Sequence, residues 1–402
     1  MALGSSLLAT LVLALTVAAI PLEARNGRVT LPLAKRTSST GVANVLARDQ
    51  ARAQFLKSRG SSDLKSRQDV TATNQAEDYV VTVTIGSTDY TLIVDTGSSN
   101  TWVGADKKFV KSSGTTSTGN SVEVSYGSGE FEGTEYTGDI TIGGSLTVTD
   151  QSFGVASSSE GFDGVDGIIG IGPEDLTEDT VSNTNEVPTV TQNLYTQGTI
   201  AEELVSVFFA PTTSESDANG ELTFGGTDAS KYTGAITYTP LTTTSPASYY
   251  WGINEEITYG SDTTILSETA GIVDTGTTLV LIASNAYSKY QSATGATEDE
   301  DTGLLRLSTS EYDNLESLYF NIGGSSLEFT ANAQIWPRSL NSAIGGSSDY
   351  VYLIVNNIGT PSGEGLDFIN GYTFLERYYS VFDTGNSQVG FAETAYTYAT
   401  TN

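Results

Sequence analysis

From about residue 70 onward the chain alternates apolar and polar positions over short runs. Tyr79-Val-Val-Thr-Val-Thr-Ile85, Ser121-Val-Glu-Val-Ser-Tyr126, Ile140-Thr-Ile142 and Ser145-Leu-Thr-Val148 put successive side chains on opposite faces. That is the period of a strand with one buried face. Gly-containing turns separate the runs at short intervals. Helical spacing is rare: Val187 to Gln197 and Ser284 to Tyr290 carry it best, and Asp228 to Tyr232 reads as a further turn. The pattern predicts an all-β body with small helices.

Ahead of this body the pattern changes twice. Leu7 to Ile20 is a mostly apolar stretch of fourteen residues ended by Pro21, shorter than the about 20 residues needed to span a bilayer. It reads as the core of a secretory signal with small residues at Ala18 and Ala19, although no Lys or Arg precedes it. Residues 1–19 are therefore assigned to a signal peptide and the protein to the extracellular space. No second apolar stretch follows, so no membrane span is expected, and Tyr398 to Asn402 offers no apolar tail for a lipid anchor. Within residues 20–69, Val42, Leu46, Ala53 and Leu56 fall on one stripe at helical spacing, with Arg48, Arg52 and Lys57 elsewhere on the helix.

Charge separates the same two regions. Of 18 basic and 48 acidic residues, residues 1–68 hold ten and three, so the first block is +7 and the remainder −37. A basic prosegment over residues 20–69, clamped electrostatically on an acidic body, fits this asymmetry. Lys35-Arg36 and Arg67 are its candidate processing sites. A formal net charge of −30 makes nucleic acid a poor partner. The chain has no cysteine and no histidine, which excludes disulfides, thiolate or histidine metal sites, and nucleophilic triads that need an imidazole. No Asn-x-Ser/Thr acceptor occurs, and the acidic run Glu298 to Asp301 fits no EF-hand spacing. Carboxylates remain as the leading acid–base groups, with no cofactor and no metal.

Asp-Thr-Gly occurs at residues 95–97, 274–276 and 383–385. The first two share a context: Leu92-Ile93-Val94 runs into Asp95-Thr96-Gly97-Ser98, and Gly271-Ile272-Val273 into Asp274-Thr275-Gly276-Thr277. They lie 179 residues apart, an internal repeat with one copy per half. Gly97 and Gly276 allow a positive φ or a close backbone approach, so two loops can meet. Thr96 and Thr275 can bond across the meeting point, and Ser98 and Thr277 can donate to outer carboxylate oxygens. Two carboxylates a few ångströms apart share one proton. One then takes a proton from water while the other gives one to a carbonyl oxygen. Asp383 differs. It stands between Tyr378-Tyr-Ser-Val-Phe382 and Gln388-Val-Gly-Phe391 and reads as a hairpin turn in which Ser380 to Phe382 pairs with Gln388 to Phe391.

With these motifs in order the sequence resembles the pepsin-like aspartic endopeptidases, in their secreted fungal form, over residues of about 75–395. Asp95-Thr-Gly-Ser-Ser-Asn-Thr-Trp-Val103 and Asp274-Thr-Gly-Thr-Thr resemble the two active-site loops. Tyr126-Gly127-Ser128-Gly129 resembles the flap that closes over substrate. Asp166-Gly-Ile-Ile-Gly170 resembles the stretch beneath the first loop, and Phe374 to Asp383 the strand region near the C-terminus. The resemblance implies two β lobes related by a pseudo-dyad, with a cleft between them; the lobes are placed at residues 70–243 and 244–402. It implies Asp95 and Asp274 as the catalytic pair, supported by Thr96, Gly97, Ser98, Thr275, Gly276 and Thr277. Tyr126, Gly127 and Ser128 would cover the scissile bond. Trp102 would donate to the Tyr126 hydroxyl, and Ile168 would line a pocket or fill the core. Protein or peptide substrates would be cut at acid pH by a monomer. The prosegment would act as an intramolecular inhibitor, with Lys57 or Lys65 paired to the carboxylates.

Departures from that family are equally specific. Asp95 and Tyr126 are 31 residues apart, a trimmed spacing, and the usual cysteines are missing. Asn370 stands where the family has an apolar residue and Tyr372 where Asp is common, which puts the packing under the second loop in question. Ser128 replaces an Asp that lets some fungal members accept Lys, so large apolar residues are expected around the cut. Two rival readings are a non-catalytic binding protein of the same fold and a carboxylate glycosidase. The complete set of loop hydroxyls and the twin loops weigh against each.

Overall fold

The structure, a computed structural model, describes residues 27–37, 45–58, 77–214 and 216–402. The signal-like stretch Leu7 to Ile20, Val42, Lys65 and Arg67 lie outside the described residues. Strand is the main regular structure of the described residues, as the alternation predicts, and the sheets form two barrel-like lobes.

In the first lobe six strands close a ring. Their order is Glu77–Ile85, Thr88–Asp95, Gly167–Gly170, Thr101–Val103, Leu146–Glu160 and Glu130–Ile142. Closure comes from Val83 pairing Ile142 and Ile85 pairing Ile140, which removes the exposed edges an open sheet would keep. The second lobe is a seven-stranded sheet in which Thr263–Val273 lies between Gly252–Tyr259 and Phe368–Asn370. Both lobes carry the same local motif. The strand ending at Asp95 pairs in parallel with Gly167–Gly170, and the strand ending at Asp274 pairs in parallel with Phe368–Asn370.

A third layer joins them. The hairpin Tyr378–Asp383 and Gln388–Glu393 pairs with Leu204–Phe209 on one side and Thr233–Pro240 on the other. Segments from both sides of residue 243 therefore share one sheet. Val29–Thr37 also enters this sheet, between Ser216–Phe224 and Glu77–Ile85. Lys35 is buried there with its ammonium 2.9 Å from Glu376 Oε1, so a cut at Lys35-Arg36 requires this strand to leave.

The helices agree in place with the sequence pattern: Val190–Thr196, capped by Thr189 Oγ1 accepting from Gln192 N, and Ser284–Thr294. Val45–Ser58 is the helix of the basic segment. Its buried face is wider than the apolar stripe, since Arg48, Asp49 and Arg52 are buried beside Val45, Ala53 and Leu56. The charged residues expected elsewhere on the helix face the body instead.

Candidate active site

The strands Thr88–Asp95 and Thr263–Val273 each end in a buried apolar run that delivers a carboxylate to the middle of the molecule. Asp95 is 1% exposed and Asp274 fully buried. The following loops grip one another reciprocally. Thr96 N donates to Thr275 Oγ1 (3.0 Å) and Thr275 N to Thr96 Oγ1 (2.9 Å). Thr275 Oγ1 donates to Val94 O (2.8 Å) and Thr96 Oγ1 to Val273 O (3.3 Å). Each threonine thus satisfies a buried N–H and a buried carbonyl of the opposite half, groups that are costly to leave unpaired.

The carboxylates are held alike. Ser98 Oγ donates to Asp95 Oδ2 and Thr277 Oγ1 to Asp274 Oδ2, both at 2.6 Å. Gly97 N reaches Asp95 Oδ1 at 2.9 Å and Gly276 N reaches Asp274 Oδ1 at 3.0 Å. Close approach, not a positive φ, demands these glycines. A Cβ on Gly97 would sit 2.6 Å from Asp274 Oδ1, and one on Gly276 2.6 Å from Asp95 Oδ1.

Arg52 fills the space between the two acids. Its NH2 lies 2.6 Å from Asp95 Oδ1 and 3.0 Å from Asp274 Oδ1, and its Nε 2.7 Å from Asp274 Oδ2. This replaces the expected Lys57 or Lys65. Lys57 donates to Thr360 Oγ1 instead. A planar guanidinium can serve two carboxylates at once, where an ammonium offers a point charge. One turn earlier, Asp49 Oδ2 accepts from Thr278 N (3.0 Å) and Leu279 N (2.8 Å), and Arg48 bonds both Asp49 and Thr278 Oγ1.

Electrostatics separates the pair. For Asp274 burial pushes the pKa up, but the charge of Arg52, its hydrogen bond, Thr277 Oγ1 and Gly276 N–H outweigh it and hold the group below the ordinary value. For Asp95 burial and the neighbouring Asp274 prevail over Arg52, and its pKa is raised. With Arg52 in place, Asp95 is thus the acid that holds its proton and Asp274 the one that gives it up. Asp78, next to this site, is pushed up to about 7 by burial.

Tyr126, Gly127 and Ser128 form the tip of the hairpin Thr115–Ser125 and Glu130–Ile142, closed by Tyr126 N donating to Gly129 O at 2.8 Å. Gly127 has φ +76°, and a Cβ there would lie 2.8 Å from Ala51 O, so the tip rests on the Val45–Ser58 helix. Tyr126, Ser128, Ile93, Phe162 and Ile168 line the space beside Asp95 and Arg52. Ile168 pairs with Trp102 across the sheet and is buried in one apolar cluster with Trp102 and Tyr126. The expected Trp102–Tyr126 contact falls short of hydrogen-bond geometry, although the indole N–H is near enough to favour the ionised phenol. Their ring centroids are 6.4 Å apart, and both the indole Nε1 and the phenol oxygen are buried without a partner. Burial and Asp95 raise the Tyr126 pKa well above its usual value.

Asp383 stays away from this constellation. It accepts from Asn386 N (3.0 Å), Asn386 Nδ2 and Gln388 Nε2 (both 2.8 Å) inside its hairpin, where Phe382 pairs Val389 as expected. What sequence reasoning missed is Arg52, Asp49 and Asp78. The first two were signalled by the spacing Arg48, Asp49, Arg52, Ala53, Leu56, which is one helical stripe that mixes charge with apolar surface.

Residues 78–394 match the family model described as eukaryotic aspartyl protease. Polyporopepsin from Irpex lacteus is 65% identical over 337 residues, covering 83% of this chain and 99% of that protein. Pepsin A from Sus scrofa is 30% identical over 79% of this chain and 82% of its own length, and gastricsin from Homo sapiens 31% over 79% and 81%. The solved structure of an aspartic proteinase from Irpex lacteus superposes with a TM-score of 0.81 at 56% identity, covering 93% of this chain and all of that one. The chain therefore belongs to the pepsin-like family of eukaryotic aspartyl proteases.

Proposed function

We propose that this endopeptidase uses Asp95 and Asp274 as its catalytic pair and is made as a secreted zymogen whose own basic segment occupies the cleft. The protein is an aspartic endopeptidase acting at acid pH. The observation that carries the assignment is the two-fold environment of the carboxyls: equivalent hydroxyl and backbone donors to each, and a single cation bridging both. With Arg52 withdrawn, a water held between Asp95 and Asp274 loses a proton to the ionised carboxylate. It attacks the peptide carbonyl carbon, while the protonated carboxyl donates to the carbonyl oxygen. The resulting diol collapses as the carboxyl that took the water's proton gives it to the leaving amine and the other carboxylate takes a proton from a diol hydroxyl. The Tyr126 tip excludes water from this step. Ile93, Phe162 and Ile168 offer apolar walls, which supports large apolar residues at the cut.

The test is cleavage of denatured haemoglobin by the acid-processed protein between pH 2 and 7. Asp95→Asn and Asp274→Asn should each lower the rate by at least about 10³-fold, with circular dichroism unchanged, and pepstatin should block the parent protein. Cleavage that survives either substitution would sink the assignment.

A further inference from the structure

The twin halves can be compared position by position through their strand registers. In the first half Leu92 faces Val81 and Val94 lies beside Ile169. In the second half Gly271 faces Ile253 and Val273 lies beside Asn370. Two residues further along the outer strand, Val83 of the first half corresponds to Glu255 of the second. Val83 and Ile169 are fully buried apolar residues of the main core. Their counterparts Glu255 and Asn370 are equally buried and polar. A carboxyl and an amide thus stand where the other half has two aliphatic side chains.

The polar pair is half satisfied. Asn370 Nδ2 donates to Glu255 Oε2 at 2.7 Å. Glu255 Oε1 and Asn370 Oδ1 are both buried without a partner. Both orphans are acceptors when Glu255 is ionised, and two unpaired buried acceptors are costly. One proton on Glu255 converts Oε1 into a donor and can satisfy both, closing an acid–amide ring. Asn370 also matters to the site: its carbonyl accepts from Asp274 N at 3.1 Å.

We propose that Glu255 is a positioning residue that carries a proton, donates it to Asn370 Oδ1, and through Asn370 holds the backbone of the Asp274 loop. This rests on the reading of Asp274 as catalytic. The surroundings fit a neutral carboxyl. Opposite Glu255 stand Thr269 and Ile322 on the flanking strands. The ionisable groups on those and adjoining segments include Glu256, Tyr259, Asp262, Glu268, Asp274, Tyr319 and Asp367. Asp367 is engaged by Thr269 Oγ1, Gly363 N and Glu364 N. Among the described residues only burial and the Asn370 amide shift Glu255, and burial prevails, raising it to about 8. A raised folded value gives a stabilisation that is complete below the ordinary carboxylate range and is lost as pH climbs through about 8.

The experiment measures unfolding of the full chain by tryptophan fluorescence in denaturant from pH 5.5 to 9, for the parent, Glu255→Gln, Glu255→Ala and the double variant Glu255→Val/Asn370→Ile. In the parent the unfolding constant should include a rise of about tenfold per pH unit, levelling above pH 8. Glu255→Gln supplies a permanent amide donor to Asn370 Oδ1 and keeps the other bond. The double variant restores the first half's aliphatic pair. Both should lose that tenfold slope, and each serves if the other fails to fold. Glu255→Ala should also lose the slope, and at acid pH should lower kcat more than it raises KM, with Glu255→Gln rescuing kcat. An unchanged slope in Glu255→Gln or the double variant overturns the proposal. The fluorescence readout does not depend on Asp274 being catalytic, so failure of the pair and failure of the dyad are separable.

Discussion

The hydroxyls of Thr96 and Thr275 each make two hydrogen bonds across the meeting point of the halves. Replacing Thr96 by Ala leaves Thr275 N buried without its acceptor. The expected cost is about 1–3 kcal/mol, measured by denaturant unfolding at acid pH. A cost below about 0.5 kcal/mol would mean that the loops do not depend on this grip. Tyr126 makes the opposite case. Its hydroxyl is buried and unpartnered while the cleft is filled, so Tyr126→Phe should leave the stability of the unprocessed chain within about 1 kcal/mol of the parent. The twin Asp residues were legible in the sequence because the same apolar-run, acid, hydroxyl and glycine pattern occurs twice. Glu255 had a signal too. It sits at an inward step of the alternation Ile253, Glu255, Ile257, but an acid there reads first as a break in the pattern.

At the level of elements, the Val45–Ser58 helix is held to the body largely by charge. Arg52→Ala would leave two buried carboxyls without their cation. Asp274 is the group whose depressed pKa stabilises the closed arrangement above the ordinary carboxylate value and withdraws that support as pH falls. The raised Asp95, Asp49 and Asp78 act in the other direction, so on the proposed zymogen reading acid release would depend on the Arg52–Asp274 contact. Arg52→Ala should therefore raise the pH of half-processing by ~1 unit or more, followed by gel electrophoresis of the segment's loss. An unshifted midpoint would show that another contact governs release. The role of this cation was only partly legible in the sequence. Helical spacing puts Arg48 and Arg52 on one stripe with Ala53 and Leu56, and only the acidic cleft decides which of the segment's basic side chains meets the two carboxyls. The strands of the first lobe were legible as elements, while their order and the closure of the ring depended on long-range pairing that periodicity does not encode.

For the whole molecule, a body of charge −37 beyond residue 68 repels itself increasingly as carboxylates ionise. Thermal midpoints should fall from pH 4 to pH 8, and about 0.5 M sodium chloride should recover part of the loss at pH 8 while changing little at pH 3. Equal salt effects at both pH values would exclude self-repulsion as the cause. With no cysteine in the chain, the sheets alone resist that repulsion.

The strand Val29–Thr37 has a consequence beyond carrying the helix that fills the cleft. It is an interior member of a sheet, bonded on both edges. On the proposed zymogen reading, its excision would open a slot between Ser216–Phe224 and Glu77–Ile85 and expose two rows of backbone donors and acceptors. Processing would then be a one-way step. A free copy of the excised segment would have to re-enter as an inner strand, without the high local concentration that covalent attachment gave it, so it should inhibit far more weakly in trans than in cis.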